Sequence, residues 1–90
     1  MNTQISLFEN ETPHCIKADV GRSSSELWYQ FDNDEYTIKI FGWISAVSKK
    51  LYRWEITDGI TCEFDSVGAF YSEEECLKDA MREHYEKFRH

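Results

Sequence analysis

Leu51-Tyr-Arg-Trp-Glu-Ile-Thr-Asp-Gly-Ile-Thr-Cys-Glu-Phe64 is two alternating apolar/polar runs joined by Asp58-Gly59, the pattern of a β-hairpin. A two-residue loop would set Trp54 against Glu63 and Ile56 against Thr61, apolar on polar. A three-residue loop, Thr57-Asp58-Gly59, instead pairs Ile56 with Ile60, Trp54 with Cys62 and Tyr52 with Phe64. It also leaves Gly59 at the left-handed position of the turn, where glycine has no steric cost. The second register is the expectation, because shifting a strand by one residue turns its apolar set to the wrong face.

Working upstream, Tyr36 to Val47 reads as the longest strand, with Tyr36, Ile38, Ile40, Ile44 and Ala46 on one face and Phe41, Trp43 and Val47 on the other. Gly42 interrupts the first set, as where a bulge, a bend or a close-packed ring needs room. A turn at Ser48-Lys49-Lys50 would place Ala46 opposite Tyr52, Ile44 opposite Trp54 and Gly42 opposite Ile56. Glu26 to Phe31 is a further strand, and the turn Asp32-Asn33-Asp34-Glu35 pairs Tyr29 with Ile38 and Leu27 with Ile40. His14 to Val20 alternates as a half-buried strand, followed by the loop Gly21-Arg22-Ser23-Ser24-Ser25. Residues 1–13 are read as either a mobile arm or a short edge strand through Ile5 and Leu7.

Downstream, Ser72-Glu73-Glu74-Glu75 is a capping box that opens a helix, with acids at its positive end and Lys87 and Arg89 at the other. Cys76, Leu77, Ala80, Met81, His84, Tyr85 and Phe88 recur at helical spacing and form one apolar stripe, with His84 read as a border residue. The expected architecture is α+β: a four- or five-stranded antiparallel meander with one C-terminal helix on one face, in a single domain over residues 1–90.

The chain of 90 residues carries 17 acids against 10 bases, a net charge of −7, which argues against direct nucleic-acid binding and favours basic partners. Its first ten residues lack the basic and apolar regions of a signal peptide. Cys15, Cys62 and Cys76 show no Cys-x-x-Cys spacing, and the expectation is a cytoplasmic protein with reduced thiols. No nucleophile, metal-ligand or phosphate-loop spacing is present. The four glycines are isolated, His14-Cys15 has no further ligand at a suitable spacing, and no catalysis, cofactor or metal is expected.

Two features exceed what folding demands. Phe41, Trp43, Val47 and Leu51 share the second sheet face with Arg53, Glu55, Glu63 and Asp65. That face is either a protein-binding patch rimmed with acids or is covered by the N-terminal segment with Leu7, Phe8 and Trp28. Acids also crowd the sheet end, at Glu26, Asp32, Asp34 and Glu35, and line the helix. Carboxylates spread over a rigid surface can imitate a nucleic-acid backbone, although a solvated acidic face explains them more simply.

The half of the chain from Trp43 through Trp54-Glu-Ile, Asp58-Gly59, Gly68 and Ser72-x-x-Glu75 into the helix resembles small acidic proteins of phages and other mobile elements, anti-CRISPR and other anti-defence inhibitors among them. The resemblance implies a non-enzymatic protein that docks on a larger, basic nucleic-acid-handling protein in the host cytoplasm. Contacts are expected first at Phe41, Trp43, Arg53 and Glu55, then at Asp32, Asp34 and Glu35. The alternatives are a nucleic-acid-binding accessory protein using Lys49, Lys50 and Arg53, a homodimer, or a small enzyme or metal protein using His14, Cys15 and His84.

Overall fold

Ser72 starts the helix as its sequence foretells: its hydroxyl accepts the Glu75 amide at 3.3 Å and its carbonyl the Cys76 amide at 3.0 Å. The computed structural model describes residues 12–32, 34–58, 62–66 and 68–88. Strands β1 (His14–Val20), β2 (Ser24–Gln30), β3 (Thr37–Ile44), β4 (Lys50–Thr57) and β5 (Cys62–Asp65) form one antiparallel sheet in chain order. Helix α1 (Glu73–Phe88) packs across one face, over β3 and β4. The protein is therefore α+β, a five-stranded meander with its helix on one side. No helix among the described residues is long and apolar enough to cross a membrane.

The core lies between that helix and the sheet. Leu27, Ile38, Ile40, Trp54 and Ile56 come from the strands, Phe31 from the β2–β3 turn, and Cys76 and Ala80 from α1. The Trp54 indole is buried, and its N–H donates to Asp79 Oδ2 on the helix at 2.9 Å, so the ring loses water without losing its hydrogen bond. Tyr29 makes a similar bridge nearer the helix N-terminus, its hydroxyl donating to Glu73 at 3.3 Å. Burial, and secondarily the Glu73 charge, push that phenol up to about 12.

Pairing agrees with the sequence between β2 and β3, where Tyr29 faces Ile38 and Leu27 faces Ile40. Elsewhere it slips. Strand β3 ends at Ile44 rather than Val47, and Ile38 pairs with Ile56, Ile40 with Trp54 and Gly42 with Tyr52. The turn is built from Ser45: its carbonyl accepts the Ser48 amide and its hydroxyl the Lys49 amide, with Ser48 at φ 64°. Strand β4 meets β5 with Ile56 opposite Phe64 and Thr57 opposite Cys62 across a bulge, and Tyr52 pairs with Phe70. The expected pairs of Ile56 with Ile60, Trp54 with Cys62 and Tyr52 with Phe64 are replaced; Gly59 lies outside the described residues. The β3–β4 shift spans an even number of residues, so each side chain kept its face while changing its neighbour. The register that forms stacks the isoleucines and Trp54 under the helix. A glycine is needed at position 42 because a Cβ there would lie 2.6 Å from Ser25 Oγ and 3.0 Å from the Tyr52 ring.

Two burial expectations are corrected. Strand β1 is exposed at every residue rather than half-buried. A helix is about 10 Å across, whereas five strands span about 19 Å between their outer axes, so a helix seated on β3 and β4 leaves β1 uncovered. His84 is fully enclosed rather than at a border, because it continues the line Cys76, Ala80, His84 at four-residue spacing. Its ring stacks on Phe31 with centroids 4.6 Å apart and meets the Tyr36 ring edge-on.

Candidate protein-binding face

Residues directly opposite in neighbouring strands share a face, so the registers lay out the side of the sheet away from the helix as rows. Lys17, Trp28, Lys39, Glu55 and Asp65 form one row; Asp19, Glu26, Phe41 and Arg53 the next; Ser24, Trp43 and Leu51 the third. Among the described residues no second layer of secondary structure crosses these rows.

Cations cover the rings. The ammonium groups of Lys17 and Lys39 lie 4.7 Å and 4.6 Å from the centre of the Trp28 ring. The Arg53 guanidinium lies 4.5 Å from the centre of Phe41, with Lys39 further off at 5.9 Å. Such contacts contribute roughly 0.5–1 kcal/mol at exposed sites. Acids hold the arrangement from the sides: Glu26 accepts the Trp28 indole N–H, and Glu55 accepts from Arg53 at 3.2 Å. Asp19, Ser24, Glu26, Phe41, Trp43 and Arg53 line an open concavity at one corner. Trp28, Phe41 and Trp43 are each half-buried, so their rings present area that a partner could still cover.

Of the residues expected to make contacts, the structure brings Phe41, Trp43, Arg53 and Glu55 together on this face, with Phe41 and Arg53 directly opposite. Asp32, Asp34 and Glu35 lie apart, in the β2–β3 turn at the sheet end away from Trp43. Asp34 turns inward: Oδ2 is 3.0 Å from His84 Nε2, and Oδ1 accepts the Tyr36 amide at 2.8 Å. Asp32 is exposed and 3.3 Å from His14 Nε2, and Glu35 is exposed. The helix acids are partly neutralised, with Arg82 reaching Asp79 at 2.6 Å, Glu83 at 2.9 Å and Glu86 at 3.6 Å.

Trp28, Lys17, Lys39 and Glu26, none of them among the expected contacts, also lie on this face, and Glu26 sits opposite Phe41 rather than with the acids of the β2–β3 turn. The correct β2–β3 register contained the signal, since Tyr29 opposite Ile38 requires Trp28 opposite Lys39 and Glu26 opposite Phe41. Trp28 is thus part of the patch rather than its cover; Leu7 and Phe8 lie outside the described residues.

The cation set Lys49, Lys50 and Arg53 does not assemble. Lys50 pairs with Ile44 on the helix side, 5.9 Å from the Tyr52 ring, while Arg53 lies on the opposite face. Lys49 sits in the turn, 5.6 Å from Tyr71. His14 and Cys15 are exposed on β1 and His84 is buried in the core; among the described residues no group of three or more His, Cys, Asp or Glu could hold a metal ion. The Cys76 thiol is fully buried and pushed up to about 12, first by burial and then by the charges of Asp79 and Glu73, which makes it an unreactive core residue.

Compared with protein-family models, curated proteins and solved structures, the chain finds no match.

Proposed function

We propose that this protein is a non-enzymatic binding module whose contact surface is the helix-free face of the sheet. The observation that carries the reading is the pair of rings Trp28 and Phe41, capped by Lys17, Lys39 and Arg53, with Trp43 in the next row. Trp and Arg dominate binding energy at protein interfaces when a partner completes their desolvation. The acids around these rings (Asp19, Glu26, Glu55 and Asp65) and the net charge of −7 support a larger partner with a basic surface. An inhibitor that occupies a nucleic-acid-handling protein is the sharpest form of this reading.

The test is affinity capture from host lysate at low and high salt, with Arg53→Ala and Trp43→Ala variants beside the parent. A stoichiometric basic protein held by the parent and lost by both folded variants is the expected result. Equal capture by all three would remove the sheet face from the reading.

A second reading has one observation in its favour: the same rings and cations resemble the stacking platforms used for single-stranded nucleic acid. It requires retention of a single-stranded oligonucleotide at low salt that weakens on Lys39→Ala.

A further inference from the structure

We infer that two copies of this chain pair antiparallel through β1, joining their sheets into one of ten strands about a twofold axis at Ala18. It rests on the backbone edge of β1 rather than on the rings of the proposed binding face, of which Lys17 and Asp19 form the margin. Among the described strands β1 is outermost and pairs with β2 alone, and it is exposed along its length, with Ile16 at 53% and Val20 at 70%. An exposed seven-residue edge presents a row of backbone donors and acceptors to another strand. The opposite edge is less suited: β5 has four residues, and beyond it Phe70 already pairs with Tyr52 on β4. That asymmetry favours edge β1 meeting its own copy, a closed dimer, over head-to-tail growth.

The sequence of β1 selects the register. In an antiparallel pair, opposed residues both turn their backbone groups towards each other or both turn them away. Identical strands can therefore pair only with the axis beside a residue and its own copy. An axis at Lys17 sets lysine against lysine, and one at Asp19 sets aspartate against aspartate. An axis at Ala18 sets Lys17 against Asp19 of the second copy, twice, and brings Ile16 to Val20, twice. The β1–β2 bulge lies between Cys15 and Lys17, so the pairs from Lys17 to Val20 are regular where the new pairing is centred. The helix side of β1 is uncovered at Ala18 and Val20, and the second copy supplies the apolar neighbours that α1 is too narrow to provide.

Sedimentation of the full chain across a micromolar to millimolar series tests this. The parent is expected to dimerise, and Lys17→Asp or Asp19→Lys to raise the dissociation constant roughly tenfold by placing like charges opposite twice. The double exchange, Lys17→Asp with Asp19→Lys, is expected to restore it. In a Cys15→Ser background, Ala18→Cys is expected to form a symmetric disulfide dimer under mild oxidation. A parent that stays monomeric at every concentration overturns the inference. So does a dimer indifferent to either charge reversal, or a double exchange that fails to re-form it.

Discussion

The two faces of the sheet spend their aromatic residues differently. On the helix side Trp54 is enclosed, and its one polar atom is met by a carboxylate from the covering element. On the other side, among the described residues, the arms of lysines and an arginine from neighbouring positions cover Trp28 and Phe41. The first cover is covalently part of a packed helix and cannot leave without unfolding. The second is made of flexible side chains that can swing aside at the cost of weak cation–π contacts. The first face is built for stability, and the second is the one proposed to meet a partner.

Truncation should separate the faces most clearly. Trp54→Ala is expected to cost about 3–5 kcal/mol, whereas Phe41→Ala should cost about 1 kcal/mol or less, both read from urea unfolding. Equal losses would mean that the second face is also core. Next in size, Asp34→Ala leaves the enclosed His84 without its carboxylate and should cost about 1–3 kcal/mol. If Asp34 were only a surface contact, that variant would unfold like its parent.

A smaller effect follows from the Cys76 thiol under the helix. Its folded value of about 12 exceeds the ordinary 9.0, so above pH 9 the unfolded chain releases a proton that the folded chain retains. The associated stability is intact below pH 9 and falls as pH rises towards 12. Between pH 8 and 10 the loss is on the order of 1 kcal/mol, and Cys76→Ala should remove it. Tyr29 adds a smaller, solvent-screened loss from pH 10 upward, since its phenol is also raised to about 12. The smallest change lies off both faces: Ser48→Gly relieves the positive φ in the β3–β4 turn and should raise stability by about 0.5–1 kcal/mol.

Fold class, all five strands and the helix were legible because alternation and helical spacing are local signals. Face assignment followed for the same reason in β2, β3 and β4, but not in β1, where the bulge turns Cys15 to the helix side and leaves Lys17 and Asp19 on the other. Strand register was legible only between β2 and β3, where the acidic turn limits the loop. Between β3 and β4, Ala46 and Val47 look like strand residues, and an even shift leaves both face patterns intact, so side-chain alternation could not locate the turn at Ser45. The Asp34–His84 contact had no signature either, because a turn acid and a helix histidine 50 positions apart are related only through the folded sheet. The candidate face was half legible: Phe41, Trp43, Arg53 and Glu55 read as sharing it, whereas Trp28 read as its cover and its two lysines went unread because each strand was taken by itself.

The strand order also has a consequence in time. Because β1 to β5 lie side by side in the order in which they are made, each strand needs only the one before it, and few distant segments must meet. The exception is α1, which must return to β3 and β4 after the sheet has been synthesised. On the ribosome, Ile38, Ile40, Trp54 and Ile56 remain a naked apolar sheet until the helix has left the exit tunnel. Of all moments in the life of the chain, that interval is the one in which a chaperone has most to protect.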